Sequence, residues 1–411
     1  MRKTVGFICH QFALASGGLT VLCGSALADP LSLTVSQSVT YDSNFSKNAA
    51  SDSETISQTN LQLKLDKSFG RQTYQAAARY GLARYAHFGE QLNGSNYDIS
   101  GAFSSGIAAN WQVDVNGNAS EYLNPNQDNP TAQRVVKNNV SDRNVGLNLR
   151  YGVAGRLYAL VNVGAGKLDY SLSTQAYKNR DQRSMGMRVV YATTDMLNFG
   201  VGVSKAVSDY PDYIIGGESE RVDQRSLDLS ANWQVTGFSS FAGVLSLTRN
   251  SYRSDADAKF NGLTGRLNWN FTPRGHMRYT VQVARTTDSD STQTSTRVYQ
   301  IGGLLDTALN TVTTSVYGSA RWEPTAKLGL SLAAGWYQYD VKRTQSGVLA
   351  GDVDGPTQSH YINLRLSGDY QYSRALAFGC SAEQYKQTAD ISPRIAYDGH
   401  QFSCNASFTI D

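Results

Sequence analysis

From residue 61 onward, polar and apolar residues take turns along this chain. Leu61, Leu63 and Leu65 are separated by Gln62, Lys64 and Asp66, and Val145, Leu147, Leu149 and Tyr151 by Gly146, Asn148 and Arg150. Leu227, Leu229, Ala231, Trp233 and Val235 alternate with Asp228, Ser230, Asn232 and Gln234, and the pattern returns in 263–271 and 362–372. In 328–336 the spacers Gly329, Ser331 and Ala333 are small, as a crowded interior requires. A period of two is that of the β-pleat, so each such stretch is a strand with one apolar and one polar face. The apolar faces must then pack on each other or face lipid.

The connections separate these outcomes. Tight turns occur at Phe69-Gly70, Gly106, Ala154-Gly155, Thr194-Asp195, Thr236-Gly237, Pro273-Arg274-Gly275, Pro324-Thr325 and Ser373-Arg374. Between them lie longer polar stretches at 42–53, 87–94, 123–137, 171–180, 208–220, 253–258, 287–309, 344–358 and 388–393. Short and long connections in alternation are the layout of an outer-membrane barrel, with periplasmic turns and extracellular loops. A soluble sandwich or β-solenoid needs no such alternation, and no fixed-period repeat is visible. The count predicts an all-β, transmembrane antiparallel β-barrel of about eighteen strands, with sixteen as the alternative because 287–309 is hard to divide.

No apolar run after Asp29 approaches the roughly 20 residues of a transmembrane helix, which excludes a helical membrane protein. A mean hydropathy of −0.38 with 24 Tyr, 37 Gly and 8 Pro suits strands whose every second residue meets lipid. Arg2 and Lys3, an apolar stretch to Leu22 and Ala26-Leu27-Ala28 read as a signal peptide over 1–28. The barrel is then expected over 29–411, as one domain without a long periplasmic N-terminal segment. Cys23 follows Val21-Leu22, which does not match a lipobox. Lys and Arg total 37 against 34 Asp and Glu, so no basic excess points to nucleic acid.

The search for chemistry is nearly empty. His87, His276, His360 and His400 are dispersed, with no metal-ligand spacing, no G-x-S-x-G, no H-E-x-x-H and no phosphate-cradling glycine loop. No enzyme activity, metal or cofactor is expected. The alternation instead assigns Lys64, Arg79, Arg150, Arg188, Arg266, Arg278, Arg321 and Arg365 to the lumen. Asp66, Asp98, Asp114, Asp228 and Asp369 share that face, with Asn116, Asn118, Asn148, Asn232, Asn268, Asn270 and Asn363. These residues either brace the wall as a polar lattice or touch a passing hydroxylated or carboxylated polymer; the two roles are compatible. Trp111, Trp233, Trp269, Trp322, Tyr151, Tyr191 and Tyr372 fall on the lipid face near the turns, as an interfacial girdle does. Cys380 and Cys404 share the outward parity and face each other across a hairpin centred on Ser392. They are either a cross-strand disulfide or two free thiols.

Short stretches carry a family resemblance: Tyr41-Asp42-Ser43-Asn44, Arg71-Gln72, Ala83-Arg84-Tyr85, Trp111, Gly379-Cys380-Ser381 and Cys404-Asn405-Ala406-Ser407-Phe408-Thr409. In these the chain resembles the EpsL-type outer-membrane proteins, a β-barrel porin group of exopolysaccharide biosynthesis operons. The resemblance implies an outer-membrane conduit for polysaccharide export, with periplasmic or inner-membrane export machinery as partners beside outer-membrane lipid. It carries over no ligand residue. A diffusion porin for small solutes is the alternative, and the outward parity of the tryptophans argues against an aromatic slide in the lumen.

Overall fold

The computed structural model describes residues 30–47, 51–124, 135–152, 156–194, 196–215, 217–253, 259–287, 306–346, 357–389 and 396–410. The signal segment expected at 1–28 lies outside them. The strands are β1 (Leu31–Asp42), β2 (Glu54–Phe69), β3 (Gln72–Tyr85), β4 (Gly94–Gly106), β5 (Trp111–Leu123), β6 (Asn139–Tyr151), β7 (Leu157–Tyr170), β8 (Arg180–Thr194) and β9 (Leu197–Ile215). They continue with β10 (Glu218–Thr236), β11 (Ser239–Tyr252), β12 (Phe260–Phe271), β13 (Met277–Thr287), β14 (Asp306–Thr325), β15 (Leu328–Ser346), β16 (Thr357–Gln371), β17 (Leu376–Ala389) and β18 (Tyr397–Ile410). A one-turn helix, α1 (Gly89–Leu92), and a 3-10 helix (Ser173–Lys178) sit in two of the loops.

Every strand pairs antiparallel with its sequence neighbours, and β1 also pairs with β18, Leu33 opposite Ile410 and Asp42 opposite Gln401. Eighteen strands therefore close into a ring with no open edge. Closure fixes the meaning of parity. Leu61, Leu63, Leu65, Leu227, Leu229, Leu245, Leu247 and Leu366 are exposed on the outside, while the polar residues between them point inward. At the turn end the outward aromatics form a chain of ring contacts, Trp233–Phe241–Trp269–Phe271–Tyr279, with centroids 6.3, 6.1, 5.8 and 6.0 Å apart. Trp111 and Tyr151 continue the girdle at 4.8 Å. A closed barrel, apolar outside and polar within, satisfies its backbone groups strand to strand and can sit in lipid. The short turns at one end and mostly longer loops at the other give its orientation. The chain is an outer-membrane β-barrel protein.

One expected loop is a strand pair. The stretch 208–220 continues β9 to Ile215 and begins β10 at Glu218. The pairing slips there: Ser219 faces Ile214 but Glu220 faces Tyr210, which leaves residues 211–213 as a bulge. Pro211 lies in that bulge, where its missing N–H costs no ladder bond. A proline among polar residues reads as a loop because sequence does not reveal the bulge that accommodates it. The turn expected at Pro324-Thr325 also lies two residues later, since β14 runs to Thr325. The Thr325 hydroxyl accepts from the N–H groups of Lys327 and Leu328 at 3.3 and 3.1 Å.

Few apolar side chains are buried among the described residues, and the one cluster they form sits at the extracellular mouth rather than mid-barrel. Phe45, Leu92 and Val135 form one cluster, with Ile56, Tyr85, Phe88 and Leu123 packed against it. These residues come from the first three loops and the strand ends beneath them. Buried Glu54 fixes the second loop: its carboxylate accepts from the N–H groups of Thr55, Ala86, His87 and Phe88 at 2.7 to 3.0 Å.

Candidate functional site

The lumen wall is where the polar chemistry gathers. All eight basic residues assigned to it point inward, in two kinds of environment. Arg321 is locked: its guanidinium grips Asp369 through two bonds of 2.8 and 3.0 Å and donates to Glu323 at 2.7 Å. Arg188 lies 3.8 Å from Asp228, Arg365 donates to the Ser381 hydroxyl at 3.1 Å, and Arg150 stands 4.0 Å over the Tyr158 ring. Arg79 faces Asp98 in register. Lys64, Arg266 and Arg278 make no ion pair among the described residues, and Arg278 stands directly opposite Arg321. Arg321, Arg188, Arg365 and Arg150 brace the wall through these contacts, whereas Lys64, Arg266 and Arg278 keep their charge available to the lumen. His87, His276, His360 and His400 remain apart, and the described residues hold no group of three His, Cys, Asp or Glu that would bind a metal.

Aromatic side chains are also present inside, which the tryptophan parity did not foretell. Tyr317, Gly335, Asn363, Tyr385 and Gly399 are successive register partners across β14 to β18. The next inward row is Ser315, Tyr337, Tyr361, Gln387 and Tyr397. The Tyr337 and Tyr361 rings are 5.8 Å apart, and those of Tyr385 and Tyr397 are 6.1 Å apart. Glycines make this possible: a Cβ at Gly335 would strike Tyr337 and Asn363, and one at Gly399 would strike Tyr385. With hydrogen there, the rings lie against the wall instead of crossing the lumen. A second group, Tyr122, Tyr170 and Tyr210, faces inward from β5, β7 and β9, with Tyr177 on the nearby 3-10 helix. Strands β7 and β16 are half a ring apart, so the two groups stand on opposite walls near the loop end.

Each group carries a lysine from a loop. After β1 the chain turns inward, and Lys47 Nζ sits 3.5 Å from the Tyr385 centroid and 2.8 Å from Asp42 Oδ2. The Tyr385 hydroxyl donates to the Asp42 carboxylate and to the Asn44 carbonyl, while Asn44 Nδ2 donates to the Asp398 carbonyl at 2.9 Å. Burial pushes the Lys47 ammonium below its usual pKa, against the opposing pull of Asp42. Across the mouth, Lys178 Nζ lies 5.3 Å from the Tyr170 ring and 5.8 Å from that of Tyr177. Asn138 fixes that loop, donating to Gln175 at 3.0 Å and accepting from Leu172 N–H at 3.2 Å.

Cys380 and Cys404 are register partners joined by a disulfide on the outer face, away from the lumen.

No protein-family model matches this chain, and no curated protein matches it. Among solved structures it is similar to the Pseudomonas aeruginosa outer-membrane protein OpdK, at 9% identity over 92% of this chain and 98% of that one, TM-score 0.46. It is similar to OprD of the same organism at 12% identity, 92% and 95% coverage and TM-score 0.44. A ferric enterobactin receptor mutant, again from Pseudomonas aeruginosa, gives 10% identity, 93% and 82% coverage and TM-score 0.47.

Proposed function

We propose that this barrel is a diffusion porin that favours hydroxylated, carbohydrate-class solutes. The observation that carries the reading is the pair of inward tyrosine groups on opposite walls of the mouth. A tyrosine ring offers a flat apolar face to the C–H side of a sugar and a hydroxyl to its oxygens. Below the mouth, Arg266, Arg278, Lys64 and the lumen amides supply exchangeable hydrogen bonds, and shallow contacts of this kind slow a solute without trapping it. The reading is tested in planar bilayers. A neutral oligosaccharide is expected to interrupt the ion current, and a polyethylene glycol of the same hydrodynamic size to do so far less. Equal behaviour of the two would leave a size filter without carbohydrate preference.

A second reading, export of an exopolysaccharide, rests on the EpsL-like stretches and on polar contacts spread along the lumen rather than gathered in one deep pocket. Export machinery on the periplasmic side would be its partner. Deleting the gene would then abolish surface polysaccharide and leave small-sugar uptake intact, whereas the porin reading expects the reverse.

A further inference from the structure

On the outer face, the loop-side end of the apolar band is marked by cations on most strands from β6 to β13, and by Arg84 on β3. Following each strand from the girdle toward the loops, the first outward residue past the apolar stretch is Arg143 on β6, Arg183 on β8, Lys205 on β9, Arg225 on β10, Arg249 on β11 and Arg285 on β13. Each stands two residues beyond an outward Val, Met or Leu: Val145, Met185, Val203, Leu227, Leu247 and Val283. On the far side the same position holds Gln338 on β15, His360 on β16 and His400 on β18.

Three of these cations are direct register partners, Lys205 with Arg225 and Arg225 with Arg249. Like charges facing each other across strands repel. Nearer the loops, carboxylates are interleaved: Arg221 is 3.7 Å from Asp209 and 3.5 Å from Asp223, and Lys205 reaches Asp223 at 3.8 Å. Arg143, Arg183, Arg225, Arg249 and Arg285 have no ion-pair partner among the described residues, and all are exposed. The chain thus keeps a like-charged row at the depth where hydrocarbon gives way to headgroups. There, long basic side chains extend from apolar surface toward the polar layer.

We infer that this collar binds the phosphorylated headgroups of the outer-leaflet lipid, with Lys205, Arg225 and Arg249 as its centre. A phosphate places several anionic oxygens between adjacent cations and can accept paired N–H donors from a guanidinium. That relieves the repulsion between Arg225 and Arg249, neither of which has an ion-pair partner among the described residues.

The test uses the whole barrel in neutral detergent, titrated with diphosphoryl lipid A or its fully dephosphorylated form and read by native mass spectrometry. The wild type should retain the phosphorylated lipid preferentially. The triple variant Lys205→Gln, Arg225→Gln, Arg249→Gln should bind it on the order of a hundredfold more weakly, the effect of three cations near an anionic surface. Heat-modified migration on gels confirms that the variant folds. Should it not fold, Arg225→Lys with Arg249→Lys keeps the charge and is expected to retain the lipid. Equal retention of the two lipids by the wild type overturns the inference, as does wild-type lipid binding by the folded triple variant. A change of oligomeric state without lipid preference would assign the collar to a protein interface and also overturn it.

Discussion

The two tyrosine-bearing walls of the mouth reach a similar surface by different means. On β14 to β18, Lys47 is held by charge: buried Asp42 accepts from Lys47, from the Asn44 N–H at 3.0 Å and from the Tyr385 hydroxyl. This clamp spans the seam where β1 meets β18, and the Cys380–Cys404 disulfide staples the outside of the same wall. On β5 to β9, Lys178 is carried by a 3-10 helix that the neutral amides of Asn138 and Gln175 hold in place. A charged clamp is strong while complete and costly once broken, because removing one partner strands the other. A neutral clamp is weaker but loses less.

The largest expected effect comes from breaking the charged clamp. Asp42→Ala leaves half-buried Lys47 without its carboxylate, and the Asn44 N–H and Tyr385 hydroxyl without their acceptor, and should cost about 3 kcal/mol. The loss would appear as a lower midpoint for heat-modified migration and as protease cleavage within the first loop. Asn138→Ala on the other wall should cost only about 1–2 kcal/mol. Equal losses would erase the distinction between the two clamps.

Next in size is the staple. The disulfide spans 24 residues, and a closed loop of that order contributes about 3 kcal/mol in the chain-entropy account. Reduction should lower the unfolding midpoint without moving the register of β17 and β18, and thiol labelling of unfolded, unreduced protein should find no free cysteine. Two labelled thiols would remove this asymmetry between the walls.

Sugar binding gives a smaller effect and asks whether both walls meet one solute. Two rings at about 0.5–1.5 kcal/mol each amount to roughly tenfold in affinity. Tyr337→Ser with Tyr361→Ser should therefore shorten oligosaccharide blockades about tenfold. If the solute spans the mouth, Tyr122→Ser with Tyr170→Ser should match that; a silent second pair would assign binding to the stapled wall alone.

The smallest effect is on pH. Burial lowers the Lys47 pKa in the folded state below its unfolded value, so the folded chain gives up this proton more readily. The contribution of Lys47 to stability therefore rises as pH climbs through its folded pKa toward 10.5, and levels off above it. Lys47→Met should abolish this rise in the unfolding midpoint. A midpoint that falls in the wild type over that range, but not in Lys47→Met, would mean that pairing with Asp42 outweighs burial.

Strand count, face assignment and the girdle were legible because they depend only on a two-residue period and on turn chemistry. The same parity rule would have found the lumen tyrosines. Tyr337 alternates with Trp336 and Gln338, and Tyr361 stands beside outward Ile362, so both share the polar face. The parity of the tryptophans does not reveal them, because tryptophan and tyrosine occupy opposite faces of β15 at Trp336 and Tyr337. Pro211 misled for another reason, since a bulge depends on the partner strand as much as on the proline.

What the sequence determined by itself is which residues face lipid and which face the lumen, because neighbouring side chains on a strand must point to opposite sides. Which of them meet was decided by tertiary structure. Arg321 and Asp369 are 48 residues apart on strands that never pair with each other; they share one ion pair because Gly329 on the strand between leaves room for both. Lys47 reaches Tyr385 only because closing the ring sets the first and last hairpins side by side, 338 positions apart in sequence. Periodicity is a local property of the chain, whereas register and closure follow from the sum of all pairings around the barrel.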